Sequence, residues 1–231
     1  MLKHYRKRTE SRTCHMNRKI SNSVLSLYLK EKNNVTGWLN YFKIVYRPYI
    51  CPFNLMLKYI PEGSAIFDIG CGQGQFSLIL TGFIHPRMVK GIDVNEDAVN
   101  EARQLFSSLD FDNASFQCYN GIDLPADIIN YSLITMVDVF HHIPPEQQET
   151  FIRNLHGRMY EGQTLLIKDI DAKSPMVWGN RLHDILLTGR AGNEVGRADM
   201  KRLLINTGFK IKNHGKKRML WYPHYWFAAV K

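Results

Sequence analysis

Three glycines at alternate positions, Gly70, Gly72 and Gly74, follow a short apolar run in IFDIGCGQGQF (66–76). Glycines spaced this way permit a tight turn and let a ligand lie against the backbone. A helix that starts after Gly74 turns its positive end toward an anion or carboxylate. Nineteen residues past Gly74 stands Asp93, in KGIDVNEDA (90–98). An acid at the end of a second strand reaches the hydroxyls of a ribose. Loop, helix and acid together point to a nucleoside cofactor. A second cluster, Asp138, His141 and His142, lies in VDVFHHIPP (137–145). Adjacent histidines diverge on a regular element, so one packs while the other faces a substrate.

These groups need a frame, and the hydrophobic pattern supplies one. Short apolar runs at Ala65–Ile69, Met88–Val94, Ser115–Tyr119, Ser132–Val137 and Leu165–Ile170 read as strands. Between them, Gly74–Thr81, Glu96–Leu109 and Pro145–Tyr160 read as helices, the second capped by Asn95. A βαβα rhythm of this kind predicts a mostly parallel sheet with helices on both faces. Such sheets bind ligands at the C-terminal ends of their strands, where both clusters fall. Beyond the fifth strand, a helix over Asp199–Thr207 is closed by Gly208. Phe209–His214 and Trp226–Val230 read as two strands of a hairpin at one sheet edge, separated by a basic, aromatic loop.

Composition narrows the classes. The chain has 231 residues, 45% of them apolar, which suits one globular domain with an extension. No run approaches the length of a spanning helix, and the charged start has no apolar stretch behind it, so no secretory leader is expected. The four cysteines form no CxxC pair, which argues against a disulfide scaffold or a cysteine zinc site; no metal is expected, and a cytoplasmic location is. The net charge is +9. Residues 1–20 contribute seven Lys/Arg against Glu10, a basic flexible arm and a candidate contact for a weak anionic partner. Residues 21–60 read as an N-terminal helical extension, with short helices before and after Pro48 and Pro52. Residues 61–231 are expected to form the main domain, which holds the glycine loop and the strand-four cluster. The phosphate-cradling GxxxxGK[ST] is absent.

IFDIGCGQG (66–74), GIDVNEDAVNEA (91–102), FQCYNGIDLP (116–125), SLITMVDVFHHIP (132–144) and EGQTLLIKDID (161–171) together resemble the class I S-adenosylmethionine-dependent methyltransferases of small-molecule type. The resemblance covers about residues 53–231. It implies a Rossmann-like, three-layer α-β-α sandwich whose seven-stranded, mostly parallel sheet has its last strand inserted antiparallel between the fifth and sixth. It implies S-adenosyl-L-methionine as cofactor, lying over Gly70, Cys71, Gly72 and Gly74. Asp68 then orients the loop and the cofactor amino group, Asp93 holds both ribose hydroxyls, and Val94 lies against adenine. The acid that usually faces the adenine amine falls at Asn120, beside Gly121, with Asp123 as its substitute. Asp138 completes the cofactor set at the strand-four mouth.

For the acceptor, two segments outside the sheet are candidate walls: the aromatic stretch Trp38–Phe53, a candidate lid, and Ser174–Leu187, which leaves the fifth strand. Arg181 is expected to orient an anionic or carbonyl-bearing acceptor, and His141 to touch the acceptor near the sulfonium. The Asn/Asp-Pro-Pro-aromatic loop of enzymes that methylate base amines has no match at Asp138–His141. The expected activity is methyl transfer to a small, partly apolar biosynthetic acceptor, at oxygen, carboxylate, carbon or nitrogen. An RNA or protein methyltransferase, an NAD-dependent oxidoreductase and a non-catalytic nucleotide-binding protein are the alternatives.

Overall fold

The computed structural model describes residues 20–32, 38–109, 111–174 and 192–231, with backbone alone over 38–43. The basic arm before residue 20, Arg181 and most of Ser174–Leu187 lie outside the described residues, as do the side chains of Trp38, Tyr41 and Phe42.

Seven strands form one sheet: β1 (Ala65–Ile69), β2 (Met88–Asp93), β3 (Ala114–Cys118), β4 (Leu133–Val137), β5 (Thr164–Ile170), β6 (Lys210–Met219) and β7 (Tyr222–Val230). Their order is β3-β2-β1-β4-β5-β7-β6. The first five are parallel, and β7 runs antiparallel between β5 and β6. Every residue of β1 and β4 is buried, because a central parallel strand is covered on both faces.

Helices α1 (Asn22–Lys32), α2 (Trp38–Ile50), α3 (Phe53–Met56), α4 (Gln75–Phe83) and α5 (Glu96–Ser107) supply one core. There Leu25, Phe53 and Met56 share apolar contacts with Phe76, Leu78 and Val99. The N-terminal helices are therefore continuous with the sheet's own core. The opposite face is covered by α6 (Pro145–Arg158) and α7 (Arg197–Thr207), through Phe151, Ile152, Leu155, Met200 and Leu204. Asn95 caps α5, its side chain accepting from the Ala98 N–H at 3.1 Å. Among the described residues no helix is long and apolar enough to cross a membrane.

Two expectations are corrected. Pro48 does not separate helices; α2 runs through it to Ile50, and the chain breaks at Cys51–Pro52 instead. A helical proline withdraws the bond to the carbonyl four residues back, and that carbonyl, Ile44 O, accepts from Gln75 Nε2 at 2.6 Å. The basic loop expected between the last two strands is itself strand. β6 continues to Met219 and turns through Leu220 and Trp221, with Leu220 at φ 53°. Its residues alternate in no apolar pattern because β6 is the sheet edge and exposes seven of its ten residues.

Candidate functional site

The glycine loop is fixed by its neighbours. Gly70 and Cys71 both donate their N–H groups to Ile92 O, at 2.7 and 3.1 Å, which straps the loop to β2. Gly70 has φ 71°, and a Cβ there would lie 2.2 Å from Val139 Cγ2, so any side chain would push the loop off the strand-four mouth. Gly72 has φ 51° with nothing within 4 Å of where a Cβ would stand, which leaves backbone open to a ligand. Gly74, at φ 77°, starts α4.

Asp93 ends β2 with both carboxylate oxygens anchored. Oδ2 accepts from the Gly72 N–H at 2.8 Å and Oδ1 from the Asn95 N–H at 2.9 Å. One carboxylate thus joins the glycine loop to the start of α5, and its remaining lone pairs are available to ligand hydroxyls. Next to it Val94 is 61% exposed, and so is Ile122 beyond β3. Between them Gly121 lies so close that its Cβ would be 3.2 Å from Val94 Cγ1. Two exposed aliphatic side chains, Val94 and Ile122, thus flank the Gly121 turn.

Asn120 is spent on its own loop. Its Oδ1 accepts from the N–H groups of Ile122 and Asp123, at 2.9 and 2.8 Å, and its Nδ2 donates to Asp123 Oδ2 at 2.7 Å. The amide thereby orients the Asp123 carboxylate, the acid expected to replace it. Tyr119, not singled out from the sequence, stands behind; burial and then Asp93 push its phenol up to about 12.

Asp68 lies beneath the loop at 2% exposure. It accepts from Ser77 Oγ at 2.8 Å and Thr135 Oγ1 at 2.7 Å. Thr135 is its direct partner in the β1–β4 register. Burial pushes this carboxyl up to about 6 against those hydroxyls. Cys71 is buried beside it, and burial, reinforced by Asp68 and Asp93, pushes the thiol far above its usual range.

At the strand-four mouth the structure joins residues from distant segments. Asp138, at φ 57°, pairs with Lys168 Nζ through Oδ1 and with Arg47 NH2 through Oδ2 at 3.4 Å. Cys51 Sγ donates to the same Oδ2 at 3.6 Å. Burial pushes the Asp138 carboxyl up, but Lys168 and then Arg47 outweigh it and hold it well below the usual range. Lys168 is wholly buried. His224 lies near them at 3% exposure, bonded through Nε2 to Ile50 O at 2.6 Å. Burial, then Lys168, pushes it down to about 3, so it is neutral and donates from Nε2. Arg47, Cys51, Lys168 and His224 escaped the sequence reading. The one local signal was a Lys-Asp pair inside the apolar strand LLIKDI.

The rings of His141 and His142 do not diverge as expected of a regular element: both lie in one short turn with ring centroids 4.0 Å apart, although their exposure differs. His141 is 3% exposed; its Nδ1 lies 2.6 Å from Asp169 Oδ1, and its N–H donates to Asp169 Oδ2 at 3.1 Å. The ring expected to touch the acceptor is instead buried and held by Asp169, while His142 is exposed. Among the described residues no group of three His, Cys, Asp or Glu is arranged to hold a metal ion.

A family model described as a methyltransferase domain matches residues 66–162, which spans the glycine loop, Asp93, Asn120 and the strand-four mouth. The carboxy-S-adenosyl-L-methionine synthase of Alteromonas mediterranea is 23% identical over 74% of this chain and 76% of its own length. Magnesium protoporphyrin IX methyltransferase from Synechocystis PCC 6803, solved with bound S-adenosylhomocysteine, superposes with a TM-score of 0.63 at 20% identity, over 91% of this chain and 95% of its own. A SAM-dependent methyltransferase from Aquifex aeolicus gives 0.63 at 17% identity, over 90% and 98%.

Proposed function

On the premise of a methyltransferase domain carried by the class I S-adenosylmethionine-dependent fold, we propose that this chain transfers a methyl group from S-adenosylmethionine to a small, partly apolar acceptor. The observation that carries this reading is the anchored Asp93 carboxylate beside the open Gly72 backbone.

The residues present fit S-adenosylmethionine. Asp93 accepts from the two ribose hydroxyls. Val94 and Ile122 pack against the adenine, and Asp123, oriented by Asn120, accepts from its amino group. The Gly70–Gly74 backbone runs under the methionine portion, with Asp68 holding that loop from below through Ser77 and Thr135. Bound there, the cofactor supplies a methyl group already activated by its sulfonium charge. What remains for the protein is alignment and exclusion of water. The Arg47–Asp138–Lys168 cluster fixes the strand-four mouth beside the loop and draws α2 over it. His141 orients the same mouth through Asp169. Arg181 remains the residue proposed to orient a carbonyl or anionic group of the acceptor.

The test is calorimetry with S-adenosylhomocysteine, paired with transfer of a labelled methyl group to cell-extract fractions. Micromolar-range binding is expected, weakened by about 2–4 kcal/mol in Asp93→Ala, which loses its hydroxyl contacts and its grip on the loop. Label should appear in solvent-extractable small molecules. Label confined to precipitated RNA or protein overturns the acceptor class; tighter binding of NAD overturns the cofactor.

A further inference from the structure

The β6–β7 hairpin carries features that the cofactor site does not use. β6 holds five cations, Lys210, Lys212, Lys216, Lys217 and Arg218, and no carboxylate. At its turn Leu220 is 60% and Trp221 48% exposed. Because β7 is antiparallel to β5, the turn lies at the C-terminal end of β5, the sheet end that holds the glycine loop and Asp138. The last β5–β7 pair joins Ile170 to His224, and residues 218–223 continue past it. Tyr222 packs with Ile170 and with Ile50 of α2, whose neighbour Tyr49 is 42% exposed and Tyr46 53%. Leu220 and Trp221 thus stand exposed at the sheet end that holds the site, next to the cations of β6.

Cations alone would have a simple explanation, since charged edge strands resist pairing with other sheets. That does not account for a leucine and a tryptophan at the tip. Exposed large apolar side chains next to one another mark interaction sites. Tryptophan and tyrosine favour the headgroup level of a bilayer, and lysines near an anionic surface are attracted to it. Nucleic acid would match the cations but gives an aliphatic tip no role.

We propose that this hairpin docks the protein on an anionic lipid surface, with Leu220 and Trp221 entering the headgroup region and Lys216 and Lys217 on the lipid phosphates. The site mouth then faces the surface, so a lipid-borne acceptor reaches it without crossing water. Docking is read independently of methyl transfer, so either reading can fail alone.

The test is co-sedimentation of the full-length protein with vesicles of phosphatidylcholine alone or with about 30 mol% phosphatidylserine. Binding to the anionic vesicles should be at least tenfold tighter, in line with about 1 kcal/mol for each cation near the surface. Leu220→Ser/Trp221→Ser and Lys216→Glu/Lys217→Glu should each weaken it at least tenfold while leaving S-adenosylhomocysteine affinity within twofold. Tryptophan emission should shift to the blue on anionic vesicles, and Trp221→Phe should lose that shift. Equal binding to both vesicle types, no binding, or anionic binding untouched by the tip replacement overturns the proposal. So does tighter binding of a single-stranded RNA oligonucleotide that the charge pair weakens and the tip pair does not.

Discussion

The side-chain amide of Gln75 donates to the carbonyl oxygen of Ile44 across 2.6 Å. Ile44 belongs to α2, and its carbonyl lacks the usual helical partner because residue 48 is proline. Gln75 is the first residue of α4, directly after the glycine loop. A helix defect in the N-terminal segment is therefore repaired from the start of α4, directly after the glycine loop, and the two segments are fixed to each other by it.

That relationship predicts a coupling. Gln75→Ala leaves a buried carbonyl without its donor and should cost about 1–3 kcal/mol. In a Pro48→Ala background the new N–H can reach Ile44 O, and the same change should cost less by about 1 kcal/mol. A double-mutant cycle by urea denaturation measures this; effects that add within about 0.3 kcal/mol would remove the coupling.

The Asp138–Lys168 pair predicts asymmetric costs. Lys168→Met leaves the part-exposed Asp138 carboxylate with Arg47 as its remaining cation and should cost about 1–3 kcal/mol; Asp138→Asn strands the wholly buried Lys168 ammonium and should cost about 3–5 kcal/mol. The double variant removes both charges and should cost clearly less than their sum. Arg47 is 41% exposed in its side chain and 3.4 Å from Asp138, so Arg47→Ala should cost no more than about 1 kcal/mol. Equal losses from Arg47→Ala and Lys168→Met would mean that the pair is not the centre of the cluster.

Asp68 predicts a pH dependence. Burial raises its folded pKa to about 6, above the unfolded value of about 3.9. The folded protein therefore binds this proton more tightly than the unfolded chain. Holding the group charged costs about 3 kcal/mol above pH 6, and that cost fades as pH falls from 6 to 4. Relative to Asp68→Asn, the wild-type protein should gain about 2 kcal/mol between pH 7 and pH 4, read from urea midpoints. A stability difference that stays flat across that range would contradict it.

What the sequence discloses depends on how local the cause is. β1 and β4 are visible because strands covered on both faces are continuously apolar. The glycine loop and Asp93 are visible because a turn and a strand end place them at a fixed spacing. Only the first half of β6 is visible, within Phe209–His214; the rest is hidden because an edge strand exposed on both faces has no apolar period, and Lys216, Lys217 and Arg218 mimic a loop. The Asp138 cluster is hidden for another reason: Arg47 and Lys168 come from 91 and 30 residues away, and only the finished sheet brings them together. The bonds of Asn120 to Ile122 and Asp123 are hidden in the sequence because they need the folded turn.

The position of β7 has a kinetic consequence. β5 ends at Ile170 and its second neighbour begins only at Tyr222. During synthesis, β1 to β5 can assemble while one flank of β5 still offers unpaired N–H and C=O groups. Pairings across such a sequence separation form slowly, so the nascent chain has an interval in which Leu165, Ile167 and their bare strand edge are open to the wrong strand. A chaperone that shields that flank, or a lower rate of synthesis, should raise the soluble yield more than any change to the cofactor loop.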